Sequence, residues 1–150
     1  MTAPVRLEVS RCPEALDLPL PAYETAGASG IDLRAAIDQP VTLEPGAREL
    51  IPTGICVGIP AGFEGQVRAR SGNAVRRGLG MVNAPGTVDS DYRGEVMVIL
   101  INWSAEPQTI QRGDRIAQLV ICPVAQAEIV EVPSLDTTDR GSGGFGHTGN

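Results

Sequence analysis

Apolar and polar residues alternate along much of this chain in short stretches. Alternation with a period of two is typical of strands that bury one face. Segments rich in Gly, Pro, Asn and Asp separate the stretches, and these residue types favour turns. The pattern predicts an all-β fold of the jelly-roll or distorted β-barrel type. The alternating stretches are 5–9, 53–59, 67–69, 96–100 and 129–132.

Two runs, 96–101 and 116–121, are almost continuously apolar. Such runs are typical of strands that are buried on both faces. In a chain of 150 residues they indicate a subunit interface as well as a core. Only one short helix is predicted: Ser71 is the candidate N-cap, 72–77 form barely two turns, and Gly78 ends it.

The C-terminal end differs in composition from the rest of the chain. Five of the last ten residues are glycines, and such a segment cannot bury enough apolar surface to order itself. We therefore predict one β domain, 1–132, followed by a flexible glycine-rich arm, 133–150. The arm holds Arg140, a natural partner for phosphate, and Phe145, an aromatic ring able to stack on a planar ligand.

The net charge of −6 argues against a nonspecific nucleic-acid binder, because phosphate backbones are bound through broad basic surfaces. All 12 basic residues are arginine, which excludes the P-loops and kinases that rely on a lysine. Arginine still binds phosphate through its planar fork, although genome composition explains the all-arginine usage equally well. No secretory signal or membrane-spanning run of about 20 residues is present, so we expect a cytoplasmic protein without membrane contact.

Cysteine and histidine suggest no catalytic or metal site. Cys12, Cys56 and Cys122 are widely spaced, lack a Cys-x-x-Cys pair and lie among apolar residues. We interpret them as reduced thiols of the core. The single histidine, His147, lies in the arm, so a Ser-His-Asp triad or a histidine-rich zinc site would need a mobile end. We discount both.

Carboxylates and arginines at the predicted turns remain as candidates. A strand through 66–70 would place Arg68 and Arg70 on one face and bring Arg70 to the start of the helix at Ser71. A helix start with a hydroxyl, a glycine and an arginine favours phosphate. The candidates are Asp32, Arg70, Asp89, Asp91, Arg93, Asp114 and Arg115.

The segment 89–94 follows a predicted turn at 83–86 and precedes a buried strand, so we expect a hairpin that projects from the sheet. Alternation would place Asp89 and Asp91 on one side of it. An ionised aspartate near a phosphate can orient and deprotonate a water for in-line attack. A divalent cation would neutralise the opposing charge. The local pattern leaves open which aspartate would act.

Five short segments stand in order along the chain and together carry a resemblance. They are Ala-Ser-Gly-Ile-Asp-Leu at 28–33, Arg-Ser-Gly at 70–72, Gly-Thr-Val-Asp-Ser-Asp-Tyr-Arg-Gly at 86–94, Gly-Asp-Arg-Ile-Ala-Gln at 113–118 and Arg-Gly-Ser-Gly-Gly-Phe-Gly at 140–146. In these segments the chain resembles the homotrimeric dUTP diphosphatases (dUTPases), which convert dUTP to dUMP and pyrophosphate. The likeness is collinear from residue 27 to residue 149.

The resemblance implies that Asp89 activates the attacking water and that Gln118 helps to place it against the α-phosphate. It implies that Asp32 holds waters around a Mg²⁺ ion bound mainly by the substrate phosphates. The substrate-binding residues that it implies are Arg70, Ser71 and Gly72 for the phosphates, Asn83, Gly86 and Val88 for uracil, Tyr92 for deoxyribose, Arg140 and Ser142 for the γ-phosphate, and Phe145 for stacking on the base.

The resemblance further implies a homotrimer whose sites take residues from three subunits, and a role in keeping uracil out of DNA while supplying dUMP for dTMP synthesis. Asn73 and Val88 depart from the family's usual apolar residue and isoleucine. A dCTP deaminase, similar in fold, would carry a glutamate near the position of Asp89. A non-catalytic relative would be expected to have lost Asp89, Arg140 or Phe145, and all three are present.

Overall fold

The computed structural model describes residues 4–144. Within that range the chain forms ten strands, one α-helix and one 3₁₀ turn. The helix α1 covers Ser71–Arg77, and the 3₁₀ turn covers Pro13–Ala15. The strands are β1 (Glu8–Arg11), β2 (Ile31–Arg34), β3 (Val41–Leu43), β4 (Arg48–Gly58), β5 (Phe63–Arg68), β6 (Leu79–Met81), β7 (Gly86–Val88), β8 (Glu95–Asn102), β9 (Gln108–Ile110) and β10 (Arg115–Pro123).

The strands form two antiparallel four-stranded sheets and a small ribbon. The first sheet has the order β1-β4-β8-β6, the second β2-β10-β5-β7, and β3 pairs with β9. The core contains side chains of both sheets, among them Ile51 and Val98 from the first and Leu33 and Leu119 from the second. This arrangement confirms the predicted all-β jelly-roll class with one short helix.

The two apolar runs have different surroundings. β10 lies between β2 and β5. Its successive residues Leu119 and Val120 point to opposite faces of the sheet and are both buried, which confirms burial on two faces. β8 buries Val96 and Val98, but the intervening Met97 is 38% exposed. Burial on both faces is therefore wrong for β8 among residues 4–144, because Met97 stays exposed on the outer side of the sheet.

Helix α1 begins one residue earlier than predicted. Ser71 is its first residue, while Arg70, with an extended backbone and no side-chain capping bond, is the N-cap. The predicted stop is confirmed: Gly78 adopts a left-handed φ of 63°, which glycine tolerates without steric cost. Asn73 is not left exposed, because its Nδ2 donates to the backbone oxygen of Arg115 at 2.9 Å and ties the helix to β10.

Residues 129–132 do not form the predicted strand, and Ile129 is 96% exposed. Alternation favours a strand only where a sheet edge offers backbone partners, and this segment pairs with no strand among residues 4–144. The last strand ends at Pro123, and the described residues beyond it are in turns or irregular structure. The division into 1–132 and 133–150 stays a prediction.

The three cysteines are free thiols but do not belong to the core. Cys12, Cys56 and Cys122 are each half-buried. The reason is clearest at Cys56, since the buried neighbours Ile55 and Val57 take the inner face of β4 and alternation turns Cys56 outward. Separately, no helix among residues 4–144 is long and apolar enough to cross a membrane.

Candidate active site

One edge of the second sheet, where β2 pairs with β10, carries a cluster of charged and amide side chains. Gln118 on β10 stands opposite Asp32 on β2. The Asp32 carboxylate accepts hydrogen bonds from Arg70 at 2.8 and 3.3 Å and from Arg115 at 3.2 Å. Only 12% of the Asp32 side chain is exposed, so this buried charge is compensated by two guanidinium groups. We name Asp32, Arg70, Arg115 and Gln118 the Asp32 cluster.

Arg68 and Arg70 do not share one face as predicted. β5 ends at Arg68, whose guanidinium binds the Gln66 side chain on the surface. Arg70 lies beyond the strand, where alternation no longer applies, and turns to Asp32. The prediction that Arg70 reaches the start of the helix holds, because it is the N-cap residue of α1.

Gln118 is held in a defined orientation. Its Nε2 donates to the backbone oxygen of Ala69 at 3.1 Å, and its Oε1 points toward Gly30. A Cβ atom at Gly30 would lie 2.7 Å from that oxygen and 3.3 Å from Gln118 Cβ. The sequence contained Gly30 in a motif but gave no signal that it makes room for Gln118, because this proximity depends on the pairing of β2 with β10.

The start of α1 offers donors beside the Asp32 cluster. The N–H groups of Ser71 and Gly72 belong to the first turn, which has no intrahelical partners, and the Ser71 side chain is exposed. A Cβ at Gly72 would lie 2.7 Å from Nη2 of Arg76, so a second guanidinium covers this helix start. Sequence reasoning missed Arg76, although its i+4 spacing from Gly72 was visible.

A cleft of about 310 Å³ lies at the other edge of the second sheet. It falls at the lower end of the size range of small-molecule sites. The segment 89–94 does not form the predicted hairpin, because the strands that flank it lie in different sheets: β7 pairs with β5 in the second sheet, and β8 pairs with β4 and β6 in the first. We name this cleft the Asp89 cleft. Its lining includes Asn83, Gly86, Val88, Asp89 and Tyr92.

Asp89 and Asp91 do not alternate along a strand. β7 ends at Val88, and the chain then turns. In this turn the backbone N–H of Tyr92 donates to the backbone oxygen of Asp89 at 3.2 Å. Both carboxylates are exposed. The Tyr92 hydroxyl donates to the backbone oxygen of Glu95 at 2.9 Å, and the Tyr92 ring lies against Gly94. The position of the ring at the mouth of the cleft is therefore fixed.

One chain does not bring the Asp89 cleft to the Asp32 cluster. β2 and β7 are the outer strands of the same sheet, about 14 Å apart at three strand spacings. Asp32 lies in the row of Gln118 and Arg68, whereas Val88 pairs with Gly65. The row that contains Asp89 is therefore about 13 Å further along the strands, so ideal strand spacings place the Cα atoms of Asp32 and Asp89 roughly 20 Å apart.

The arm provides a third, separate group. Arg140 donates from Nε to the Gly143 oxygen at 2.8 Å, and the Gly143 N–H donates to the Arg140 oxygen at 3.1 Å. Ser142 is exposed. The hydrogen bonds of Arg140 within residues 4–144 are thus local to the arm. Phe145 lies outside the described residues.

The fold is a jelly roll. Its candidate site combines arginines, backbone N–H groups at the start of α1 and a cleft lined by a carboxylate, and together these groups suit a phosphorylated ligand. The family model for dUTPase matches residues 17–149. The chain belongs to the dUTPase family. It is accordingly an enzyme, a dUTP diphosphatase that hydrolyses dUTP.

Two relatives and one solved structure illustrate the similarity. The deoxyuridine 5'-triphosphate nucleotidohydrolase of an Anaeromyxobacter species is 61% identical, over 97% of this chain and 99% of the relative. The protein of the same name from Methylocella silvestris is 56% identical, over 99% and 94%. A mutant dUTPase of Staphylococcus bacteriophage 80alpha with dUpNHpp has a TM-score of 0.86 at 25% identity, covering 97% of this chain and 99% of that chain.

Proposed function

We propose that three copies of this chain together hydrolyse dUTP to dUMP and pyrophosphate, by attack of an Asp89-activated water on the α-phosphate. The observation that carries this proposal is that Asp32 lies on one outer strand of the second sheet while Asp89 follows the opposite outer strand, in a different row of the sheet. One nucleoside triphosphate cannot bind to the Asp89 cleft and to the Asp32 cluster of the same chain at once. Sites between chains resolve this separation.

In the proposed reaction Asp89 accepts a proton from a water as that water attacks phosphorus, and pyrophosphate leaves from the opposite side. The exposed Asp89 carboxylate is accessible for this role. Gln118 of another chain accepts a hydrogen bond from the same water through Oε1, while Nε2 stays bound to the Ala69 oxygen. This fixed amide orients the water without moving a proton itself.

The amides of Ser71 and Gly72 and the Ser71 hydroxyl bind the phosphate chain in this proposal. Arg70 supports them, because two of its nitrogens are already fixed on Asp32 and its position is therefore set before substrate arrives. Preorganised donors of this kind stabilise charge that develops in the transition state. Helix α1 has only seven residues, so the local N–H groups matter more than a macrodipole.

We propose that Mg²⁺ assists and is held mainly by the substrate phosphates. Asp32 does not fit direct coordination, because both of its oxygens accept hydrogen bonds from guanidinium groups. Its remaining lone pairs fit waters of a hydrated ion, which Mg²⁺ tends to retain. The ion would supply neutralisation of the triphosphate charge when bound.

Uracil enters the Asp89 cleft, where backbone groups around Asn83, Gly86 and Val88 supply its hydrogen bonds. Cytosine would leave donors and acceptors unpaired there. Thymine is disfavoured by its methyl group, a difference worth about 1 to 3 kcal/mol. Tyr92, held by the Glu95 oxygen, packs on deoxyribose and excludes a 2′-hydroxyl.

The arm, 133–150, completes the site by closing over bound nucleotide. Arg140 and Ser142 meet the γ-phosphate, and Phe145 stacks on the base. The exposed stretch 129–132 supports this part of the proposal, because it has the pattern of a strand but no strand partner within the described part of the chain. Met97 and Leu50, 38% and 48% exposed on the outer side of β8 and β4, offer surface for the subunit contact.

In the cell, we propose, this cytoplasmic activity keeps uracil out of DNA and supplies dUMP for dTMP synthesis. The test is pyrophosphate release with Mg²⁺ from dUTP, dTTP, dCTP and UTP, measured side by side. We expect rapid release from dUTP and much slower release from the other three. Equal rates on all four would overturn the assignment of specificity, and ammonia release from dCTP would indicate a deaminase instead.

A further inference from the structure

Two cysteines and two glutamates come together on the first sheet. The proposed reaction uses none of their side chains, although Glu95 also lines the Asp89 cleft. One ligand atom each from Cys12, Glu14 and Glu95 lie within 4.8 Å of one another. Cys56 is next to this group but not part of it, since strand pairing places Cys56 opposite Glu95 and Ser10. We name these four residues the Cys12 cluster.

Strand register explains why these residues meet. Cys56 on β4 stands opposite Ser10 on β1 and opposite Glu95 on β8, and directly opposed residues share a face. Cys12 lies two residues beyond Ser10, and its N–H donates to the Gly54 oxygen at 2.8 Å. Cys12 therefore points to the same face of the sheet as Cys56 and Glu95.

Glu14 joins the cluster through the 3₁₀ turn. The turn follows Cys12 directly and packs against Gly54, where an added Cβ would collide with Ala15. The Gly54 N–H also donates to Oε1 of Glu95 at 2.7 Å, which fixes that carboxylate. The backbone thus positions ligands from three separate segments of the chain.

Among residues 4–144, Glu14 and Glu95 form no salt bridge with an arginine. Arg11 and Arg93 are the nearest arginines in the sequence, and they donate to backbone oxygens, Arg11 to Leu16 and Leu18 and Arg93 to Ser90 and Tyr92. Burial, the Glu95 carboxylate, the Cys56 thiol and Glu14 together raise the pKa of Cys12 to about 11. A positive charge placed among these groups would relieve the same repulsion.

We propose that the Cys12 cluster binds one Zn²⁺ ion per chain, through the sulfur of Cys12 and the carboxylates of Glu14 and Glu95, with the Cys56 sulfur as the fourth ligand after a side-chain shift. Four donors of this kind match the tetrahedral preference of zinc. Two sulfurs disfavour Mg²⁺, which prefers oxygen ligands. Each thiol releases its proton to solvent on binding, and the ion ties the N-terminal segment to β4 and β8.

Cobalt(II) is the spectroscopic probe for this site. The full-length protein, kept reduced and in excess MgCl₂, is titrated with CoCl₂ and then with ZnCl₂. We expect about one Co²⁺ per chain, a thiolate-to-cobalt charge-transfer band and strong visible bands of tetrahedral cobalt, all displaced by zinc. Weak octahedral cobalt bands without charge transfer would overturn the proposal.

Single substitutions assign the ligands. Cys12→Ser and Cys56→Ser each remove or shift the charge-transfer band, whereas Cys122→Ser, at the third half-buried cysteine, leaves it unchanged. Glu14→Gln weakens Co²⁺ binding by about tenfold or more. Hydrolysis of dUTP by each variant checks that it is folded. A full band in Cys12→Ser, or a wild-type protein that takes up no metal, contradicts the assignment.

Discussion

Asp89 and Asp91 are two exposed carboxylates two residues apart, and the sequence pattern did not separate them. The structure gives them different surroundings, because Asp89 lines the 310 Å³ cleft beside Asn83 and Tyr92, whereas Asp91 does not line it. Chemistry at a nucleotide held in that cleft would need the residue that lines it. This difference favours Asp89 as the base.

Asp89→Asn should lower kcat for dUTP by at least about 100-fold, because the amide cannot accept the proton of the water. Binding of a non-hydrolysable dUTP analogue should stay measurable by calorimetry. Asp91→Asn is the matched control and should keep most of the activity. The reverse result, an active Asp89→Asn and an inactive Asp91→Asn, would transfer the role to Asp91.

Gly30 shows how a small residue can determine the position of a functional amide. In Gly30→Ala the new Cβ would meet Gln118 Oε1 at 2.7 Å, so the amide must rotate or shift. We expect kcat to fall by about 10- to 100-fold, with little change in KM, because the attacking water is misplaced. Steady-state kinetics and the melting temperature are the measurements.

Gly27→Ala provides the control for this experiment, because nothing lies within 4 Å of a Cβ at Gly27. It should leave both kcat and the melting temperature unchanged. If Gly30→Ala also retained wild-type kcat, the orientation of Gln118 would not matter for catalysis. A loss of activity in both variants would point to the loop rather than to Gln118.

A residue of the candidate site could be predicted from the sequence where a local motif contains it. Asp32, Arg70 and Gln118 lie in three motifs that the sequence singled out, and the structure places them in one cluster. The bond from Asn73 to the Arg115 oxygen and the meeting of Cys12 with Glu95 were not predictable. Both depend on which strands are neighbours and in which register, and alternation along one strand carries no such information.

At the scale of elements, β1 and the four longer strands overlap predicted stretches, whereas five paired strands of only three or four residues were not predicted from alternation. These short strands are β2, β3, β6, β7 and β9. β4, β5, β8 and β10 overlap predicted stretches, because alternation and a paired edge agree there. Residues 129–132 have the same pattern but no edge to join. The helix was placed within one residue, since Gly78 ends it by backbone conformation alone.

The contact between the 3₁₀ turn and β4 should contribute measurably to stability. Gly54 has a φ of 69°, and an added Cβ would overlap Ala15 and lie 3.0 Å from the Cβ of Ala36. Gly54→Ala should therefore cost both a backbone strain of about 1 kcal/mol and an overpacking term of about 1 to 3 kcal/mol. Urea unfolding of the purified protein measures the sum.

Gly46→Ala separates the two contributions. Gly46 has a φ of 78° with nothing within 4 Å of the added Cβ, so it should show the backbone cost alone. The free energy of unfolding should consequently fall further in Gly54→Ala than in Gly46→Ala. Equal losses would mean that the 3₁₀ turn moves away without cost.

At the scale of the whole molecule, the groups of the proposed active site lie far apart within one chain. The Asp89 cleft and the Asp32 cluster lie at different edges and different ends of one sheet, and Arg140 bonds only within the arm in the described range. Cyclic assembly can bring different surfaces of identical chains together around closed interfaces. A shared site explains both the separation and the apolar side of β4 and β8 that carries Leu50 and Met97.

Mixed assemblies distinguish a shared site from a site within one chain. Asp89→Asn disables the cleft of a chain, and Gln118→Leu removes the amide of the Asp32 cluster, so each variant alone should be nearly inactive. When the two are co-expressed in equal amounts, about one quarter of the sites should combine an intact Asp89 from one chain with an intact Gln118 from another. Activity should reappear at about that fraction of wild type. Mixing assembled variants without subunit exchange is the control and should stay inactive; no recovery in the co-expressed assemblies would place both residues in a site of the same chain.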